Sequence, residues 1–260
     1  MVAAFARAHR RFHQLRDRDS FRAWLRASDA PAGASPVCRF YASGPNSHFY
    51  TASPSECQYL KDLEVFRSTL SEYLICRIPD LHIANSIKVY NRGRELMHQL
   101  YELRKRDRPP VTGAEAVEVS KAAARMPRER FNELMEQLLA EIESTGREIK
   151  KGRRLMLIGN DLHNTTQIAA LESADAVVVV DEMDIGIRRA WGQVDTKLPP
   201  MEALARYYVL GRPVDKHNWN SDGRLEFIGD TAEEYKVDGV VSQNVRFCTY
   251  LGWDKFDLKK

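Results

Sequence analysis

Cysteine is scarce: the 260-residue chain holds 4, too few for a small scaffold stapled by disulfides. Long apolar runs are absent too. Nothing approaches the roughly 18 consecutive apolar residues of a bilayer-spanning helix, and the strongest apolar stretch, Ala174 to Asp181 (ADAVVVVD), has the length of a buried strand. Neither sign of charge dominates. With 39 basic and 36 acidic residues the net charge is +3, which gives no electrostatic case for a nucleic-acid partner. The patterns Gly-x-Gly-x-x-Gly and Gly-x-x-x-x-Gly-Lys-Ser/Thr do not occur, so neither a common dinucleotide fingerprint nor a P-loop supports nucleotide binding. His-Glu-x-x-His and Gly-x-Ser-x-Gly are missing as well, which weakens zinc-protease and α/β-hydrolase chemistry. What remains is an ordinary folded composition, 43% hydrophobic and 29% charged, long enough for one large domain or two modest ones.

Three stretches with different grammars follow. Residues 1–54 begin with an Arg-rich segment, MVAAFARAHRRFHQLRDRDSFRAWLRAS. It lacks the apolar core of a secretory signal, and Asp17 and Asp19 are unusual in a mitochondrial presequence. It reads as a basic amphipathic helix, either simply solvated or meeting an acidic partner. Pro31 to Ser55 is rich in Ala, Gly, Ser, Pro and Asn, a loop with a short strand at Val37–Tyr41. Residues 55–151 are helical in period. Leu60, Leu63, Phe66, Leu70 and Leu74 form one stripe, and Ile83, Ile87, Tyr90, Leu96, Leu100 and Leu103 form another after Pro79. Gly93 lies inside the second helix, where it costs about 1 kcal/mol relative to Ala and suits close packing. Thr112 with Glu115 three residues on is a capping box opening a third helix, and Pro127 opens a fourth. These four helices make a helical layer.

From residue 152 to 260 short β-branched runs alternate with helical segments. Strands are expected at Arg154–Gly159, Ala176–Val180 and Gly239–Gln243, with helices at Thr165–Ser173, Pro200–Leu210 and Thr231–Tyr235. Such alternation indicates a parallel sheet, because parallel strands need crossover connections. The expected fold is therefore α/β: a helical layer followed by a doubly wound, mainly parallel domain. Three strands are few, and the sheet reads as incomplete, as if truncated at its C-terminal end.

Ligands of open parallel sheets bind beyond the carboxyl ends of the strands. The three strand ends offer Asn160, Asp161 and His163; then Asp181, Glu182 and Asp184; then the run Ser242-Gln-Asn-Val-Arg-Phe-Cys248. Asp181 and Glu182 suit acid–base work, turn formation or helix capping alike. His82 and His98 fall among the core positions of the second helix and read as structural. Cys248 follows a strand near the expected start of a helix, where unpaired backbone N–H groups stabilise a thiolate. That position suits a metal ligand, a nucleophile or a small buried core residue, and with no Cys-x-x-Cys nearby the spacing leaves all three open.

From about Tyr59 to Lys260 the chain resembles the 2-hydroxyacyl-CoA dehydratase and benzoyl-CoA reductase subunit family. The resembling blocks are YLKDLEVFRSTLSEYL, IANSIKVYNRGRELMHQLYELRK, PPVTGAEAVEV, RLMLIGNDLH, ADAVVVVDEMDIGIRRAW, PMEALARYY and YKVDGVVSQNVRFCTYLGWD, in that order. The resemblance implies paired homologous subunits, each with two α/β domains beside a helical layer and a [4Fe–4S] cluster held by three cysteines. It further implies an acyl- or aryl-CoA substrate that accepts one low-potential electron as its thioester, and a separate ATP-hydrolysing activator protein as electron donor. Cys248 matches the family's Phe-Cys cluster ligand, although Thr249 and Tyr250 stand where Asp-Pro is usual. The other two ligands belong to a first α/β domain that this chain is expected to lack. Cys76, in YLICRIP, falls in the helical layer and is not expected to be a ligand. A cluster of this kind points to the cytoplasm, and no membrane or nucleic-acid partner is implied.

The segment PVCRFYASGPNSHFYTASPSECQYLK also resembles a short Cys-Arg-Phe-Tyr…His-Phe-Tyr-Thr repeat of secreted bacterial proteins, which would imply a Cys38–Cys57 bridge in an oxidising compartment. Three functions thus stand open: a cluster-bearing enzyme subunit, the expected one; a non-catalytic docking half-subunit of the same family; and a secreted binding module.

Overall fold

The computed structural model describes residues 38–42, 47–51, 54–160, 165–183, 185–209 and 221–244. The chain divides into two compact units, Met1–Asp62 and Leu63–Lys260. In the first, β1 (Cys38–Ala42) and β2 (Ser47–Thr51) pair antiparallel, with Cys38 opposite Thr51 and Phe40 opposite Phe49. The sequence reading expected one strand here. The second is built from the matching aromatic run SHFYT, because two β-prone runs separated by a short turn form a hairpin. The Arg-rich N-terminal segment lies outside the described residues.

Helix α1 (Pro54–Leu74) is followed by α2 (Asp80–Leu103), α3 (Gly113–Arg125) and α4 (Arg128–Thr145). The helix boundaries have local causes. Thr112 caps α3: its hydroxyl accepts from the Glu115 backbone N–H at 3.1 Å, and Glu115 accepts from the Thr112 N–H at 2.9 Å. Glu172 completes that N-terminus by accepting from the Gly113 N–H at 2.7 Å. Helix α4 ends at Gly146, which takes the left-handed conformation of a C-cap (φ 57°). Gly93 allows α2 and α4 to approach, since a Cβ there would stand 2.8 Å from Asn132 Oδ1.

The helical faces correct two expectations. Phe66 and Leu74 of the α1 stripe are 59% and 54% exposed, while Leu60 of the same stripe is buried, so only part of that stripe is core. His82 and His98 are exposed. The buried face of α2 carries Leu96, Met97, Leu100 and Tyr101, and the 3.6-residue period turns His98 away from it.

Then come β3 (Arg153–Gly159), α5 (Thr166–Ser173), β4 (Ala176–Glu182), α6 (Ile187–Ala190), α7 (Pro200–Val209), α8 (Ser221–Glu234) and β5 (Gly239–Gln243). The sheet has the order β4–β3–β5, and both pairings are parallel. It is covered on both faces. Met156, Ile158, Val177 and Val179 join Leu100 and Tyr101 of α2, Phe131 and Met135 of α4 and Ile228 of α8 in one core. Leu157 and Val178 face Val117 of α3 and Ile168 of α5 in another. This is the expected α/β architecture, with helices on either side of a parallel sheet. The largest differences from expectation are that β4 runs on through Asp181 and Glu182, that α8 begins ten residues before Thr231, and that the short helix α6 was not anticipated.

At the central strand's end, Gly159 takes φ 123°, and a Cβ there would lie 1.9 Å from the Gln243 carbonyl oxygen. Gly146, with φ 57°, has nothing within 4 Å of its Cβ position. Gly159→Ala is therefore expected to destabilise the chain by roughly 3 kcal/mol or more, against about 1 kcal/mol for Gly146→Ala. Urea unfolding midpoints of the two variants check this, and equal losses would contradict it.

Candidate functional site

The chain leaves central β3 toward β4 on one side and returns to β5 on the other. A crevice at the carboxyl ends of the strands follows from that reversal. Gly159 pairs with Gln243 and Ile158 with Glu182 across this edge, and the Asn160 N–H donates to the Gln243 carbonyl at 3.3 Å. Asn160, Gln243 and the end of β4 are thus neighbours, although 83 residues separate the first two in sequence. Asp161, His163, Asp184 and Cys248 lie outside the described residues. In sequence, Cys248 follows the last residue of β5 closely.

Asp181 and Glu182 are neither turn formers nor caps. Both stand on β4 and are buried, at 0% and 1% exposure. Asp181 Oδ1 accepts from the Tyr101 hydroxyl at 2.8 Å and from Arg104 Nη1 at 3.0 Å. The other end of the Arg104 guanidinium donates to the Val178 carbonyl at 3.0 Å. Gly186 folds back over the same carboxylate so tightly that a Cβ there would stand 2.0 Å from Asp181 Oδ2. Glu182 pairs with Arg188 of α6 and, at 3.0 Å, with Arg224 of α8. Two carboxylates and three guanidiniums, all buried, therefore join α2, α6 and α8 to one strand.

The electrostatics follow from that burial. Loss of water, and after it the Asp181 charge, push the Tyr101 phenol well above its ordinary range. For Arg104, burial works against the charge, but the Asp181 carboxylate outweighs it and the net shift is upward. The Asp181 carboxylate, held by a guanidinium and a phenol, is wholly out of reach of solvent. These two acids are anchors, and acid–base catalysis by them is not what the geometry serves.

Sequence reasoning missed Arg104, Arg188 and Arg224. Arg104 lies 77 residues from its partner and Arg224 lies 42 from its own, so no local spacing marks them. The available signal was an Asp-Glu pair closing an otherwise apolar strand: acids at the end of a buried strand demand cations. Among the described residues no group of three or more His, Cys, Asp or Glu side chains could hold a metal ion. Cys76 is free and exposed just past α1, away from the strand ends.

A parallel sheet wound on both faces, with a layer of long helices before it, defines the class: a doubly wound α/β protein. Within that class the chain belongs to the family described as 2-hydroxyglutaryl-CoA dehydratase, D-component, whose model matches residues 39–260. It is similar to a benzoyl-CoA reductase subunit from Thauera aromatica, 23% identical over 194 residues, covering 73% of this chain and 50% of that protein. It is also similar to the (R)-phenyllactyl-CoA dehydratase beta subunit of Clostridium sporogenes, 23% identical over 184 residues, with 71% and 49% covered. The beta subunit of lactoyl-CoA dehydratase from Anaerotignum propionicum is 23% identical over 195 residues, with 74% and 52% covered. The chain spans about half the length of the curated relatives it matches. No helix among the described residues is long and apolar enough to cross a membrane.

Breaking the buried pair is expected to be costly. Arg104→Met strands the Asp181 charge and should lose about 3–5 kcal/mol, whereas the double variant Arg104→Met with Asp181→Leu should lose much less than the two singles summed. Denaturant unfolding of the four proteins measures the coupling, and additive losses would refute it. The pH dependence has a definite sign. Tyr101, raised when folded, favours the fold below its unfolded pKa near 10, and the contribution is lost as pH rises beyond that. Tyr101→Phe should flatten the fall in unfolding free energy between about pH 9 and 11; an unchanged slope would count against this assignment.

Proposed function

We propose that this chain is a subunit of a CoA-thioester enzyme of the benzoyl-CoA reductase or 2-hydroxyacyl-CoA dehydratase kind, working with an iron–sulfur cluster. The observation that carries the reading is family membership across residues 39–260, together with relatives named for reducing or dehydrating CoA thioesters. A cluster in such an enzyme supplies low-potential electron transfer to the thioester. Cys248 is the ligand this chain contributes, because it follows the β5 strand whose end borders the crevice.

The described residues do not by themselves fit a four-iron cluster. They contain no group of metal-binding side chains, and [4Fe–4S] clusters need several thiolates. The proposal therefore assigns the remaining ligands to parts beyond the described residues, a homologous second subunit among them. An ATP-dependent activator protein is the proposed electron donor, an acyl- or aryl-CoA the substrate and the reducing cytoplasm the compartment. Within the described residues, the Arg104–Asp181 and Glu182–Arg188–Arg224 anchors hold the end of β4 in place beside β3.

One observation favours a second reading. Both acids at the end of β4 are committed to ion pairs that hold helices, as expected of a non-catalytic docking half-subunit. Anaerobic co-purification with a full-length homologous subunit separates the two. The first reading expects iron and sulfide in the complex and a clear fall in both on Cys248→Ala. Iron content unchanged by that substitution removes Cys248 from the site, and a stable complex without iron establishes the docking role instead.

A further inference from the structure

Away from the strand ends, a cavity of about 300 Å³ opens between α2 and α7, at the small end of ligand pockets. Its wall is apolar where Ile83, Ile87, Val194 and Leu204 meet, and Ser86 and Arg94 add polar groups to it. Arg94 is the one ionised side chain on that wall. A cavity of this size takes a guest on the order of ten non-hydrogen atoms.

The Arg94 guanidinium is held in place from below. Its Nη1 donates to Asn91 Oδ1 at 2.9 Å, and it lies over the Tyr207 ring at 4.5 Å. Both supports are themselves fixed. Asn91 is buried and clamps the Val194 backbone: its Nδ2 donates to the carbonyl at 2.7 Å, and its Oδ1 accepts from the N–H at 3.0 Å. Tyr207 is buried too, and its hydroxyl donates to the Trp191 carbonyl at 2.8 Å. Other arginines along this helix have acids: Arg92 pairs with Glu95 and Glu136, and Arg104 with Asp181. Among the described residues Arg94 has none, and Nη1 is its one hydrogen-bonded nitrogen. The Nε–Nη2 edge of the guanidinium is left over, and its two parallel N–H donors match a carboxylate. A cation ordered in advance binds an anion at a smaller entropic cost.

We propose that this cavity binds a small monocarboxylate with an apolar tail, its carboxylate on the Nε–Nη2 edge of Arg94 and its tail against Ile83, Ile87 and Leu204. One guanidinium balances one negative charge, and the apolar wall rejects a guest charged at both ends, because the second charge would lose water without a partner. The two parts of the guest act differently. The tail contributes affinity by leaving water, and the carboxylate fixes orientation through paired hydrogen bonds. The site asks only for a free acid and is independent of the CoA-thioester reading above.

Calorimetric titration of the intact chain with hexanoate, hexanamide and acetate tests the site. Hexanoate should bind. Hexanamide, which lacks the charge, and acetate, which lacks the tail, should each bind at least about tenfold more weakly. Arg94→Gln should weaken hexanoate binding roughly tenfold and leave that of hexanamide unchanged. Ser86 is an exposed wall residue, so Ser86→Trp puts bulk into the cavity without touching the guanidinium or its supports. It should also lower hexanoate affinity about tenfold, and it serves as the independent arm should Arg94→Gln not fold. No binding of hexanoate, hexanamide held as tightly as hexanoate, or hexanoate affinity unmoved by Arg94→Gln or by Ser86→Trp overturns the site.

Discussion

A guanidinium and a carboxylate with no access to water set the conditions under which this fold exists. Arg104 at the end of α2 and Asp181 near the end of β4 are both fully buried, and neither could be there alone, because an isolated buried charge costs several kcal/mol. Their mutual hydrogen bond, the Tyr101 hydroxyl and the Val178 carbonyl satisfy the groups that would otherwise be stranded. Such a pair adds little over good apolar packing, but it permits only one docking of α2 on the sheet. The chain elsewhere conforms to that docking. Arg154 reaches from β3 to the carbonyls of Arg104 and Arg106, capping the C-terminus of α2, and Gly186 lets the backbone after β4 close over Asp181.

The same arrangement separates scaffold from working surface. Acids at the carboxyl end of a parallel strand are ordinarily candidates for chemistry, yet here they are used up in holding α2, α6 and α8. Among the described residues, the groups at this edge that are not tied up in ion pairs include the backbone and amides around Asn160 and Gln243.

How much of this was legible beforehand varied with the range of the forces involved. Thr112 and Glu115 announced the start of α3 because a capping box is complete within four residues. Pro127 announced α4, and Ala176–Val180 announced β4. Expectation failed where a neighbour distant in sequence made the decision. Helix α8 extends through SDGRLEFIGD, a stretch with a glycine and no clean stripe, because Ile228 packs in the core and Arg224 finds Glu182. β4 continues through two acids for the same reason. His98 sits one position from Met97 in sequence, but a turn of about 100° around the helix takes it off the buried face.

Sequence alone determined the α/β class, the order of most of the described helices and strands and the family, because periodicity, capping and motif order are local properties of a chain. Tertiary structure alone decided that Asp181 and Glu182 are anchors and that three arginines from three helices converge on them. It also decided that Arg94 stacks on Tyr207 and Arg128 on Tyr90. The physical reason is the reach of electrostatics in a medium of low dielectric: a buried charge selects its partner by distance in space, and the spacing of letters carries no record of that distance.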